Sequence, residues 1–260
     1  MKPLAFSSVL FAVAVGFGLP TAPTPARADT VTNKSTWSGS ASAGLTITRG
    51  NSHSTLATVT LDAADKWDRN ELLLNASVTY GRAGTNTTTS TADANAQYNW
   101  LFTERVYGGL KVDLFHDDIA EIKYRLTVAP LAGYYFIKTT NTTLSGEVGP
   151  ALVYERTKEL VVTATSTNTP WTSHGYFTAR AGERFEHKFN GTSRVWQSLE
   201  FLPQVDDLNN YIVKFELGAE AALSKRWSLR VVLQDSYDRE PPAGQDRNDA
   251  RLIAGVGYKF

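Results

Sequence analysis

The feature that most constrains this chain is a period-two alternation of apolar and polar residues that begins after residue 36. Residues 91–102 and 211–223 show it most clearly. In the first segment, one set of alternate residues, the apolar parity, consists of Ala92, Ala94, Ala96, Tyr98, Trp100 and Phe102. The other parity holds Thr91, Asp93, Asn95, Gln97 and Asn99. Because successive side chains of a β-strand point to opposite faces, this alternation predicts strands with one apolar and one polar face.

Twelve segments with this alternation follow one another along the chain. They are residues 37–49, 55–67, 71–82, 91–102, 105–116, 123–137, 142–155, 171–188, 194–202, 211–223, 227–237 and 249–260. Most reach the ~9–11 residues that a tilted strand needs to cross a bilayer. The pattern predicts an all-β protein, a single-chain antiparallel transmembrane β-barrel of twelve strands.

The connections between these segments alternate in length. Short polar turns at 68–70, 103–104, 138–141, 190–191 and 224–226 alternate with longer loops at 83–90, 117–122, 156–170, 203–210 and 238–248. The loop near Gly50 is the brief exception. Short periplasmic turns and longer external loops are typical of outer-membrane barrels, so both chain ends are expected in the periplasm.

A soluble β-sandwich would also alternate, but it would have no reason to sort its aromatic residues by strand end. The predicted periplasmic ends carry Trp37, Trp67, Trp100, Phe136, Phe189, Trp227 and Phe260. The predicted outer ends carry Tyr80, Tyr124, Tyr154, Trp171, Tyr211 and Tyr237. Two bands of this kind are the aromatic girdles of a membrane barrel, since amphipathic rings prefer the bilayer interface.

The last strand carries a second membrane signal. Leu252, Ala254, Val256, Tyr258 and Phe260 stand at alternate positions up to the final residue. This pattern resembles the C-terminal signal that the barrel-assembly machinery reads. We therefore expect that machinery and periplasmic chaperones as partners during biogenesis, and outer-membrane lipid as the final environment.

The first 28 residues are predicted to be a cleaved signal peptide. Lys2 is followed by an apolar run from Leu4 to Leu19, and Ala26-Arg27-Ala28 gives the small-x-small pattern before a cut at Asp29. A transmembrane helix is the alternative, but about 16 residues is short for a span, and prolines follow at once. The predicted domains are thus a signal peptide, 1–28, and a barrel, 29–260, in the outer membrane of a Gram-negative bacterium.

Composition excludes several classes of protein. The 26 basic residues fall to 24 without Lys2 and Arg27, against 26 acidic residues, so the mature chain has a net charge of −2. This balance gives no reason to expect a nucleic-acid partner. A mean hydropathy of −0.26 argues against a helical membrane protein. The absence of Cys excludes a disulfide framework and a thiolate metal site.

Five short motifs, in order, resemble a known family. They are Arg49-Gly50-Asn51, Lys66-Trp67-Asp68-Arg69-Asn70, Gly149-Pro150, Tyr237-Asp238-Arg239-Glu240-Pro241-Pro242 and Gly257-Tyr258-Lys259-Phe260. Together they are similar to a bacterial domain-of-unknown-function family labelled salt-induced outer membrane proteins. Ser52-His53 departs from that pattern, where a Thr and an acidic residue are more usual. The resemblance implies a porin-like barrel in the outer membrane and transfers no catalytic residue.

No constellation predicts catalysis or a metal site. His53, His116 and His174 fall near outer strand ends, with Asp117 and Asp118 beside His116, but they come from separate strands. His-x₃-His, His-Glu-x-x-His and Gly-x-Ser-x-Gly are all absent. His53 and Ser54 are neighbours and would point to opposite faces of a strand. We predict no catalytic residue, no metal and no cofactor, and therefore not an enzyme.

The polar parity supplies the candidate functional residues, which are expected to line the lumen. They are Asp93, Lys111, Asp113, Arg125, Glu147, Arg180, Arg184, Lys214, Glu216, Glu220 and Arg230. Charges inside a barrel need water or opposite charges as partners. Two hypotheses follow: a hydrated pore or binder for small polar solutes, or a structural, stress-response barrel whose lumen is closed by ion pairs.

Overall fold

The computed structural model describes residues 35–48, 54–158, 161–162, 167–168, 170–189, 191–242 and 245–260. The predicted signal peptide, 1–28, lies outside these residues and stays a prediction. Within the described part of the chain, no helix is long and apolar enough to cross a membrane.

The structure confirms the predicted all-β fold of twelve barrel strands. They are β1 (Ser38–Thr48), β2 (Ser54–Trp67), β3 (Asn70–Ala83), β4 (Asn86–Leu101), β5 (Val106–Asp117), β6 (Ile122–Lys138), β7 (Thr142–Lys158), β10 (Trp171–Phe189), β11 (Ser193–Pro203), β12 (Tyr211–Ala222), β13 (Trp227–Asp238) and β14 (Asn248–Lys259). Between β7 and β10 lie two short strands, β8 (Val161–Val162) and β9 (Thr167–Asn168), which pair only with each other.

Each barrel strand pairs antiparallel with its neighbours in the chain, and β1 pairs with β14 to close the ring. In this last pair Ala41 lies opposite Tyr258 and Ala43 opposite Val256. Gly39 and Phe260 exchange backbone hydrogen bonds of 3.2 and 3.1 Å at the end of the seam. Closure matters because it leaves no unpaired strand edge, which a bilayer could not solvate.

The two ends of the barrel differ. At one end, which we call the turn rim, lie the short connections 68–69, 102–105, 139–141, 191–192 and 223–226, together with the first residue of β1 and the last residue of β14. The last residues of β1, β3, β5, β7, β11 and β13 lie at the opposite end, the loop rim.

The prediction of a loop at residues 83–90 is wrong. β3 and β4 extend through most of it and are joined by the two-residue turn Gly84-Thr85, with Gly84 at φ +60°. The run from Asn86 to Thr91 is polar on both faces, which is why it resembled a loop. Threonine nevertheless suits a strand, because its branched side chain packs well on a pleated surface.

The alternation of the sequence separates the two faces of the barrel sheet. Apolar side chains exposed on the outer face include Leu45, Val59, Leu61, Val78, Leu114, Val148, Phe177, Leu217, Val231 and Leu252. Buried polar side chains on the inner face include Thr58, Glu71, Thr79, Gln97, Asn99, Arg180, Glu200 and Glu220. The inner face of the sheet therefore combines buried polar side chains with buried apolar ones such as Val153 and Leu202, and the outer face is apolar.

Aromatic residues mark both edges of the outer face. At the turn rim, Trp227 packs edge-to-face on Tyr258 and Trp100 packs on Phe102. At the loop rim, Tyr124 packs on Tyr154, and Tyr211 stacks on Tyr237.

Candidate functional site

The candidate site is the lumen, where a cluster of ion pairs surrounds Arg180. This arginine, on β10, is only 5% exposed. Its Nη1 donates to Glu147 of β7 at 2.9 Å, and its Nε donates to Glu200 of β11. A guanidinium presents its donors in a fixed fork, so it can hold two carboxylates from the strands on either side.

The same cluster reaches across the lumen. Lys111 of β5 donates from Nζ to Glu200 Oε1 at 2.9 Å, and it lies 3.4 Å from Asp113 Oδ1. Strands β6, β7 and β10 separate β5 from β11 around the ring. A direct contact between them therefore spans the interior instead of following the wall.

Glu147 completes this central cluster by accepting from three strands. Besides Arg180, it receives the amide of Gln97 at 2.6 Å and the hydroxyl of Tyr107 at 2.9 Å. Each carboxylate of the cluster thus has several donors, which offsets the desolvation that burial imposes on a charge. The central cluster consists of Gln97, Tyr107, Lys111, Glu147, Arg180 and Glu200.

A second bridge crosses the other side of the lumen. Arg230 of β13 donates to Asp62 of β2 at 3.0 Å and to Ser42 at 3.2 Å, passing over β14 and β1. Its Nε lies 4.0 Å from Glu220, which is also paired with Arg194 at 2.8 Å.

Trp196 fills the space beside this bridge. The guanidinium groups of Arg194 and Arg230 lie over its indole, at 4.8 and 5.2 Å from the ring centre. Its Nε1 donates to Glu216 at 2.6 Å. A bulky aromatic ring held by two cations and one carboxylate occupies volume that water would otherwise take.

Each rim carries a further bridge. Near the loop rim, Arg125 of β6 contacts Glu155 at 2.5 Å and Asp238 of β13 at 3.0 Å, although four strands lie between β6 and β13. Near the turn rim, the Tyr135 hydroxyl donates to Glu71 at 2.6 Å across β4 and β5. Contacts across the lumen therefore occur at several heights.

The predicted lumen residues differ in their partners. The contacts above include Lys111, Asp113, Arg125, Glu147, Arg180, Glu216, Glu220 and Arg230. Lys214 lies 3.8 Å from Glu200 and is 40% exposed, Asp93 is half-buried, and Arg184 is exposed. Because β12 and β13 are neighbours, Glu216 and Glu220 would be the nearest carboxylates expected for Arg230, but its shortest ion pair is with Asp62.

Glu200, Tyr107 and Trp196 were missed as site residues. Each has the parity of a charged residue on its own strand: Tyr107 shares that of Lys111, and Trp196 that of Glu200. The parity of these positions along the strand is the signal that could have identified them. Aromatic side chains, however, are expected on the lipid face of a barrel, which points away from Tyr107 and Trp196 as lumen residues.

His116 lies outside the ion-pair clusters described above. His116 bonds the backbone oxygen of Lys123 at 2.9 Å and lies 3.1 Å from Asp118, near the loop rim. His53 lies outside the described residues. In the part of the chain that the structure describes, no group of three or more His, Cys, Asp or Glu could hold a metal ion.

Comparison with known proteins identifies a matching family and several solved β-barrel structures with a similar fold. The model of the family described as "Protein of unknown function, DUF481" matches residues 41–260. No curated protein matches the sequence.

Solved structures with a similar fold include three outer-membrane proteins. The NanC porin is 8% identical, with a TM-score of 0.49, and the match covers 86% of this chain and 100% of that one. The KdgM porin in complex with disordered oligogalacturonate is 10% identical, with a TM-score of 0.45, covering 86% and 99%. The translocator domain of the autotransporter NalP from Neisseria meningitidis is 13% identical, with a TM-score of 0.47, covering 89% and 90%. Similarity at this level transfers no function.

Proposed function

The chain belongs to the DUF481 family of proteins of unknown function, and we propose that it is an outer-membrane barrel of a Gram-negative bacterium whose lumen is closed at rest by ion pairs. The proposal has two parts, the membrane location and the closed lumen. It assigns the protein no catalytic activity.

The outer face supports the membrane location. Large apolar side chains such as Leu45, Val148 and Phe177 are each at least 60% exposed. A water-soluble protein rarely exposes so many apolar groups in one continuous surface. Between two aromatic edges, such a surface matches the hydrocarbon layer of a bilayer.

The observation that carries the closed lumen is the contact between Lys111 and Glu200. These side chains come from strands on separate sides of the ring, yet their charged atoms are 2.9 Å apart. A direct contact at this distance leaves no room for water between the two charged groups. Arg180 also holds Glu200, and Asp113 lies 3.4 Å from Lys111, so both ends of the bridge have a further charged partner.

Burial supports the same conclusion. Arg180 and Glu200 are 5% and 9% exposed, and Tyr107 beside them is 1% exposed. Side chains that line a wide aqueous channel stay accessible to water. Of the two hypotheses drawn from the sequence, these contacts favour the closed, ion-paired lumen over the small-solute pore.

Single-channel recording in planar bilayers tests this proposal. We expect the refolded wild type to show no steady conductance. The double substitution Lys111→Ser with Glu200→Ser removes both members of the bridge without changing the net charge, and Arg180 keeps Glu147 as its partner. We expect it to give steady open events.

The matched control is Arg184→Ser with Glu186→Ser, which is also charge-neutral and lies on the inward parity of β10 outside the central cluster. It should stay as silent as the wild type. Steady conductance of the wild type would refute the closed lumen and would favour the pore hypothesis instead. Silence of the Lys111/Glu200 variant would show that this bridge does not close the lumen.

A further inference from the structure

Glu183 is an acidic side chain on the outer, apolar face of the barrel. The residues adjacent to Glu183 on β10, Gly182 and Arg184, have the same parity as Arg180, which points into the lumen and bonds to Glu147. Phe177 and Glu183 have the opposite parity, and Phe177 is 65% exposed. The pairing of β10 with β7 and β11 has no bulge that would reverse this alternation.

The position of Glu183 places it well inside the apolar band. It stands six residues before Phe189, the aromatic residue of β10 at the turn rim. At about 3.3 Å per residue and a tilt near 45°, that is about 14 Å along the barrel axis. The apolar band of such a barrel is about 25 Å tall, so Glu183 lies near its middle.

Other outward acids lie closer to water. Asp65 and Asp235 stand two residues from the rim aromatics Trp67 and Tyr237, respectively. Asp65 also accepts a hydrogen bond of 2.8 Å from Ser35. Near the bilayer midplane, by contrast, an acidic side chain is costly unless another group covers it.

Gln197 of β11 is the polar neighbour of Glu183. Its Nε2 donates to Glu183 Oε2 at 2.8 Å. Gln197 points outward because the adjacent Trp196 points into the lumen, and Leu199 and Phe201, of the same parity as Gln197, are exposed. An amide carries two N–H groups and a carbonyl, and a carboxylate accepts several bonds, so this pair has donors and acceptors for further partners.

We propose that this outward pair is the centre of an interface with a second copy of the same chain. In a dimer with a two-fold axis along the bilayer normal, each Glu183–Gln197 pair meets its copy at the same depth. The amide of one protomer can then donate to the carboxylate of the other, and the reverse, so the pair is self-complementary. This inference rests on the proposed membrane location.

The surface around the pair suits such a contact. Ala179 and Ala181 are small and exposed beside Glu183, which allows a second sheet to approach closely. Phe177 and Val148 project from the same face, 65% and 61% exposed, and supply apolar contacts. Transmembrane helices associate through small residues and interhelical hydrogen bonds because apolar burial gives no net drive in a bilayer, and the same physical reason applies to two barrel walls.

Disulfide trapping of the refolded protein in lipid vesicles tests the interface. Since the chain has no cysteine, one introduced at Ala181 is unique. We expect Ala181→Cys to form dimers on oxidation with copper phenanthroline. Adding Glu183→Leu should lower the dimer yield about tenfold, equivalent to about 1.4 kcal/mol, whereas Glu183→Gln should retain most of it.

The matched control is Ala94→Cys, an exposed outward alanine of β4 on another side of the ring. It should give few dimers. Equal yields from both cysteines, or an Ala181→Cys yield that Glu183→Leu leaves unchanged, would overturn the interface while leaving the membrane location intact. Failure of the wild type to insert into the vesicles would overturn both.

Discussion

At the scale of single residues, two glycines fix the aromatic side chains that fill the lumen. A Cβ at Gly133 would lie 2.2 Å from the Tyr107 ring, and a Cβ at Gly218 would lie 2.0 Å from the Trp196 ring. Each ring therefore packs over the glycine that is its register partner on the adjacent strand. In that position Tyr107 reaches Glu147, and Trp196 reaches Glu216. These glycines are needed for close approach.

Gly218→Val should destabilise the barrel by about 1–3 kcal/mol, because the added side chain overlaps the Trp196 ring and forces a shift in a packed interior. Urea unfolding of the protein in lipid vesicles would measure the change. Gly175→Ala is the control, since a Cβ there would meet Tyr154 at 3.4 Å, an ordinary contact. If the two variants unfold alike, Trp196 is not held as described.

At the scale of the strand, β12 shows how one segment serves two environments. Val213, Phe215 and Leu217 face outward, while Lys214, Glu216 and Glu220 face the lumen. Because the period of a strand is two, shifting the register by one residue would exchange these sets. The apolar and charged residues together therefore determine the register of β12 between β11 and β13.

Phe215→Arg should cost about 2–4 kcal/mol, since it puts a charge near the midplane of the apolar band. Refolding titrations into lipid vesicles would measure it. Lys214→Gln is the matched control because Lys214 is 40% exposed in the lumen and makes only a 3.8 Å contact with Glu200. A larger loss for Lys214→Gln than for Phe215→Arg would show that the outward face of β12 does not meet lipid.

At the scale of the whole molecule, the seam between β1 and β14 decides whether the sheet closes. Phe260 contributes twice, through its backbone bonds to Gly39 and through its ring, which lies where a Cβ of Gly39 would be. The same residue ends the C-terminal pattern of Leu252, Val256, Tyr258 and Phe260. The seam and the predicted insertion signal thus share one residue.

Deleting Phe260 should lower the amount of folded protein in the outer membrane while export to the periplasm continues. Membrane fractionation with a heat-modifiability assay on gels would measure folded and unfolded forms. Gly39→Ala separates the two roles, because it disturbs the seam and leaves the C-terminus intact. Unchanged membrane levels after deletion would argue against the insertion signal.

How far the sequence predicts this protein depends on the range of each interaction. Strand positions were predicted to within a few residues, except at 86–90, where polar residues on both faces concealed the start of β4. Alternation is a local property, because the sequence of each strand by itself specifies which residues lie on which face. Inward orientation could likewise be assigned to Arg180 and Lys111 from parity alone.

The sequence by itself thus determined the strand count, the antiparallel barrel and the division into an apolar outer and a polar inner face, because these follow from a period of two within each segment. The tertiary structure alone decided which inward charges meet. Lys111 and Glu200 are 89 residues apart, and Arg230 and Asp62 are 168 apart. Their contacts depend on the curvature and stagger of the closed ring, which bring distant strands face to face. Likewise, only the folded sheet places Gln197 beside Glu183 on the apolar face, since that contact depends on the register between β10 and β11.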